Sequence, residues 1–115
     1  PKIFHVNWFK KDKDDKFSWP GFGDNLRVLN WIIDRCKDKV GAKETAIGYE
    51  PNINDLDLNG LDVSDDTMEE LLSVDKDLWK QEIAEQKEFF KRFGDDLPKE
   101  IIEEHDKLEK RIEDL

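Results

Sequence analysis

The sequence predicts an α+β protein, with two or three short strands followed by about four helices. Three observations carry that expectation. The first 31 residues hold seven aromatic side chains, several of them in runs rich in β-branched residues. A middle stretch, 38–65, concentrates Gly, Pro, Asn and Asp, as irregular connections do. From residue 66 onward, apolar residues recur at helical spacing among many charges.

Ile3-Phe4-His5-Val6-Asn7-Trp8-Phe9 has strand-forming residues on both alternating faces and reads as a buried strand. Lys10 to Lys16 is charged at every position and reads as a solvated turn. Phe17-Ser18-Trp19 would return as a second short strand. Pro20-Gly21-Phe22-Gly23 breaks regular structure, because Pro fixes φ and Gly permits positive φ. Asp24 is placed to cap a helix from Asn25 to about Lys37, with Val28, Leu29, Trp31, Ile32 and Ile33 as a wide apolar face. Leu56, Leu58, Leu61 and Val63 are expected to pin the irregular stretch onto the core. Ser64, Thr67 and Met68-Glu69-Glu70-Leu71-Leu72 read as a short helix. A longer helix follows from about Asp75 to Phe93, stopped by Gly94, and another starts at Pro98.

The chain has 115 residues, the size of one domain, and the reading takes residues 1–115 as a single unit. Its net charge is −10, but the charge is uneven. Residues 1–50 hold ten basic and eight acidic side chains, whereas 51–115 hold nine and 21. An aromatic, nearly neutral front is thus joined to an acidic helical tail over 66–115. The negative balance argues against general nucleic-acid binding, which depends on cationic phosphate contacts. A single cysteine, Cys36, excludes an internal disulfide and a Cys-based zinc site, and reads as a small core residue. No apolar run reaches the length of a membrane span, and the cytoplasm is the expected location. Pro1 opens directly on the strand-like run, which predicts a piece of something longer.

Candidate chemistry is sparse. Paired carboxylates such as Glu69/Glu70, Asp95/Asp96 and Glu103/Glu104 read as solvated surfaces in so acidic a chain. His5 and His105 lie in no metal-binding motif, and there is no GxSxG. Gly21-Phe22-Gly23 begins like GxGxxG, but Leu26 stands where the third Gly belongs, and no GxxxxGK[ST] occurs. Asp24 at the following helix start would repel an anion. What remains is the aromatic front. Phe9, Phe17 and Phe22 fall at a strand end, at the return from a charged turn and in a Gly-flanked loop. Three rings so placed suit a flat, uncharged partner, and stacking a nucleobase on such rings contributes about 1–3 kcal/mol per base. Asn25 adds an amide donor and acceptor beside them. The alternative is that all three are ordinary core residues.

The runs Phe4-His5-Val6-Asn7-Trp8-Phe9-Lys10-Lys11-Asp12, Phe17-Ser18-Trp19-Pro20-Gly21-Phe22-Gly23-Asp24-Asn25 and Arg27-Val28-Leu29-Asn30-Trp31 resemble the GTP-dependent phosphoenolpyruvate carboxykinase family. Thr45-Ala46-Ile47-Gly48-Tyr49-Glu50-Pro51 and the pattern around Leu71-Leu72, Trp79 and Asp96-Leu97-Pro98 extend the resemblance over essentially the whole chain. Ala46 departs from a usual Pro, and Ser18 from a larger apolar residue. The resemblance falls at the extreme C-terminus of a much longer protein and so implies a C-terminal fragment of an α/β enzyme domain. It also implies that Phe9, Phe17 and Phe22 form a guanine pocket within 1–50, lined by Trp8 and Asn25, with the Asn25 amide reading the base edge. The family's reaction converts oxaloacetate and GTP to phosphoenolpyruvate, CO2 and GDP with Mn2+ and Mg2+. The phosphate loop, metal ligands, reactive cysteine and lid are implied to lie upstream of Pro1. A fragment would therefore bind GTP or GDP weakly, through the base alone, and be inactive by itself. Its implied partners are guanine nucleotide and the rest of the parent enzyme, with self-association through an exposed first strand a further expectation. The competing reading is a standalone acidic module whose last two helices dock a basic partner.

Overall fold

A computed structural model describes residues 1–115. Its elements are α1 (Asn25–Cys36), β1 (Lys43–Thr45), β2 (Gly48–Glu50), α2 (Asp65–Leu71), α3 (Lys76–Phe90) and α4 (Lys99–Glu113), with 3-10 turns at Phe22–Asp24, Ile53–Asp55 and Lys91–Asp96. The fold is α+β, as the composition of its segments predicts. The chain gathers into two compact units rather than one: Pro1–Lys43 with Tyr49–Ser73, and Glu44–Gly48 with Val74–Leu115.

The first unit has its core at Trp19, Trp31, Leu56 and Met68. α1 places Val28, Trp31 and Ile32 on it at i, i+3 and i+4, so one stripe of the helix is covered. Leu29 and Ile33 lie outside that stripe and are exposed, so the apolar face is narrower than the sequence predicts. Cys36 is exposed too, because it sits at the last turn of α1 beyond the packed stripe. The irregular stretch is pinned as expected: Leu56 is buried, and Leu58, Leu61 and Val63 pack against the core. Ser64 Oγ accepts from the Thr67 backbone N–H at 3.2 Å and starts α2, which buries Met68.

The expected strand over Ile3–Phe9 does not form. Its period-two alternation is real, since Phe4, Val6 and Trp8 are half-buried while Ile3, His5, Asn7 and Phe9 are exposed. No neighbouring strand exists to pair with it, so the segment lies unladdered, with Phe4 edge-on to Trp31 at 6.1 Å between ring centroids. Phe17-Ser18-Trp19 contributes only one antiparallel bridge, Lys11 with Phe17. The strands instead fall within the stretch read as irregular, where β1 and β2 form a two-stranded hairpin. Its short loop is held by Thr45 Oγ1, which donates to the Gly48 carbonyl at 2.8 Å, and Gly48 takes φ 131°.

In the second unit α3 and α4 run antiparallel. Asp75 caps α3 through Leu78 N–H at 2.8 Å, and Gly94 (φ 52°, ψ −130°) kinks the 3-10 segment Lys91–Asp96 where the sequence places a stop. Pro98 is the residue before α4 rather than its first helical position. Ile83, His105 and Ile112 are buried, and the Phe90 ring meets the His105 ring edge-on at 5.3 Å. Lys87 Nζ contacts both carboxylate oxygens of Glu109, at 2.7 and 2.6 Å. Arg111 Nε donates to the Ala46 carbonyl at 2.8 Å, tying the hairpin loop to α4.

Candidate functional site

The site begins with a charged loop that folds on its own backbone. Asp12 Oδ1 accepts from the N–H groups of Asp14 and Lys16 at 2.8 and 3.0 Å, and Asp12 N–H donates to the Lys16 carbonyl at 2.8 Å. The Lys16 amide, and then that of Asp14, hold the Asp12 carboxyl below its usual range. Asp15 takes φ 61° to close the turn. Ser18 N–H then donates to the Lys10 carbonyl at 2.9 Å, which returns the chain beside its start. This closure brings Phe9 and Phe17 together, with ring centroids 5.8 Å apart and planes tilted by 59°. Asn7 Oδ1 accepts from Phe9 N–H at 3.0 Å and fixes the turn that precedes it.

Beyond Phe17 the chain dips into the core. Trp19 is buried and packs against Trp8 at 6.5 Å between centroids. Gly21 then takes φ 113° and ψ −160°, a region essentially open to glycine alone, and the turn after it carries Phe22 outward. Phe22, Phe9 and Phe17 are 93%, 70% and 58% exposed. These are ring faces left in water, not core. The reading of all three as ordinary core residues is therefore incorrect.

Trp8, Phe9, Phe17, Phe22 and Asn25 line a single concavity of about 510 Å3, together with Trp19, Pro20 and Gly21. All five residues singled out in the sequence are thus brought to one place. Sequence reasoning did not select Trp19, Pro20 or Gly21 for the site, although they lie within the same quoted run. Asn25 opens α1, and its Oδ1 accepts from Trp19 Nε1–H at 2.8 Å. None of the lining side chains carries a charge. Lys11 Nζ lies 5.8 Å from the Phe17 ring centroid and pairs with Asp15 at 2.9 Å.

Asp24 does not cap α1 with its side chain. Its carboxylate accepts instead from Arg27 Nε at 3.0 Å, and Arg27 also donates to the Asp57 carbonyl at 2.6 Å. A shallower depression of about 360 Å3 follows Ile53–Asn59 and has no aromatic lining. No three His, Cys, Asp or Glu side chains converge as a metal site would require. The residues present therefore do not fit a divalent cation. The concavity presents aromatic side chains and one amide without a charge, a lining chemically suited to a flat heteroaromatic group.

The family model of the phosphoenolpyruvate carboxykinase C-terminal P-loop domain matches residues 1–111. The chain belongs to the GTP-dependent phosphoenolpyruvate carboxykinase family. It is 51% identical over 113 residues to the GTP-dependent phosphoenolpyruvate carboxykinase of Neocallimastix frontalis, covering 97% of this chain and 18% of that protein. The enzymes of Chlamydia caviae and Anaeromyxobacter dehalogenans are 48% and 46% identical over 113 and 112 residues, each covering 97% of this chain and 19% of the relative. The chain thus spans about a fifth of the length of the curated relatives it matches. Membership in an enzyme family disfavours the standalone acidic module. No helix is long and apolar enough to cross a membrane.

Proposed function

We propose that this chain provides the guanine-base site of a GTP-dependent phosphoenolpyruvate carboxykinase. In this role Phe9, Phe17 and Phe22 stack on the base, Trp8 closes the wall, and Asn25 reads the base edge. The observation that carries the reading is the meeting of these five side chains on one uncharged concavity, with three ring faces exposed. The parent reaction turns oxaloacetate and GTP into phosphoenolpyruvate, CO2 and GDP. On this reading its phosphate loop and its Mn2+ and Mg2+ ligands belong to residues outside this chain, as do its catalytic groups. The chain alone is inactive, works with the remainder of the enzyme, and resides in the cytoplasm. Self-association through the unladdered Ile3–Phe9 segment belongs to the same proposal, and a mass independent of concentration would remove it.

The test is a titration of the chain with GTP, GDP and ATP, followed by tryptophan fluorescence. Trp8 and Trp19 line the concavity and report on its occupancy. GTP and GDP should give saturable changes that ATP does not match. An equal response to ATP overturns the reading. Phe22→Ala should weaken GTP binding by about 1–3 kcal/mol, the usual value of one stacked ring.

A further inference from the structure

We propose that Trp19 is a positioning residue for purine selectivity, because its indole N–H sets which end of the Asn25 amide is offered to the base. The inference rests on the base-site reading above. An Asn side chain has a donor end and an acceptor end of nearly the same shape, so neighbours must decide how it is turned. Here the neighbour has only one kind of group. An indole nitrogen donates and never accepts, and Trp19 Nε1–H donates to Asn25 Oδ1 at 2.8 Å. Turning the amide over would set its NH2 against the indole N–H. A residue only 6% exposed would then hold an unpartnered donor.

The opposite end of the amide is thereby committed. Asn25 Nδ2 makes no hydrogen bond within the protein and is not sealed from solvent, on a side chain that lines the concavity. The remaining lining side chains are rings, a proline and a glycine, and the Trp8 indole adds only another donor. The wall thus offers side-chain donors, with its one side-chain acceptor turned to the buried indole. That polarity suits a 6-oxopurine, whose C6 oxygen accepts. It opposes a 6-aminopurine, whose C6 amino group donates. Selection for guanine over adenine is set by a residue that need not touch the base edge.

Trp19→Phe keeps an aromatic ring in the core and deletes the donor, so the amide is free to turn. The full chain and this variant are titrated with GTP, ITP and ATP. Inosine keeps the C6 oxygen and lacks the 2-amino group, so ITP isolates the C6 contact. The unsubstituted chain should prefer GTP and ITP over ATP. In W19F both preferences should fall by at least about fivefold, partly through a gain in ATP affinity. A merely structural role would weaken all three nucleotides alike and leave the ratios unchanged, and that result overturns the inference. Asn25→Asp covers the case in which W19F does not fold. It keeps an acceptor for the indole and removes the free donor, so ATP should gain on ITP; an unchanged ITP preference overturns the inference. Equal binding of GTP and ATP by the unsubstituted chain is a different failure, since it overturns the base site itself.

Discussion

Glu50 illustrates how a single partly buried carboxylate enters the stability of the first unit. Burial pushes its carboxyl above the ordinary value of 4.5, against the opposing pull of Lys43 and Lys10. Its Oε2 is enclosed without a hydrogen-bond partner. The unfolded chain therefore ionises at lower pH than the folded one, and stability falls as pH rises from about 4.5 through the raised folded value. Glu50→Gln should raise the melting temperature at pH 7, and the gain should vanish below about pH 4.5. Asp12 has the opposite sign. Its carboxyl is held low by the Lys16 amide, so its contribution is present above the ordinary 3.8 and lost as pH falls through the depressed value. Amide hydrogen exchange at Lys16 measured across this acid range checks it. The core behaves more simply: Met68, 2% exposed, should cost about 2–5 kcal/mol on Met68→Ala in urea denaturation.

At the scale of elements, the loop from Lys10 to Phe22 does most to place the site. Gly21 has open space around the position of an added Cβ, so Gly21→Ala meets no clash. The cost of that substitution is conformational, about 1–3 kcal/mol for a non-glycine residue in this region. Relief by rotation would swing Phe22 away, so the variant should lose stability, or GTP affinity at constant stability; denaturation and titration together separate the two. This loop was legible because its signals are contiguous. The charged run marks the turn, Pro20 and Gly21 mark the break, and the rings between them share one stretch of chain. The strands were not legible. β propensity in Ile3–Phe9 describes a pleated, half-buried surface, which the segment has, but it names no partner. Lys43-Glu44-Thr45 and Gly48-Tyr49-Glu50 are short and mostly polar, so nothing in their composition separates them from a loop. The Trp19–Asn25 hydrogen bond was missed for a related reason: six residues separate the pair, and only the Gly21 turn brings indole to amide.

At the scale of the whole molecule, charge and packing divide the chain differently: the acidic excess runs over residues 51–115, whereas the first compact unit extends to Ser73. α2 has acidic residues in its first turn yet packs in the first unit, because Met68 and Leu71 are needed to close that core. Charge therefore marks the region and apolar packing marks the border. In the second unit most ionic contacts are surface pairs such as Lys107 with Glu104, at 2.7 Å, and each contributes little in water. Its stability rests on the buried apolar side chains Ile83 and Ile112 instead. Ile112, fully enclosed, should cost about 2–5 kcal/mol on Ile112→Ala, whereas Lys107→Ala should stay within about 0.5 kcal/mol, both read by thermal or urea unfolding.

The lining of the concavity has no ionised side chain, although the chain around it carries ten net negative charges. On the base-site proposal, a ligand held by faces and one amide is recognised by its heterocycle and not by its tail. Guanosine should thus saturate the chain at about the same concentration as GTP, with a midpoint that hardly moves between low and high salt. On that proposal, phosphate number, the quantity that distinguishes substrate from product in nucleotide-driven reactions, is invisible from this side of the ligand.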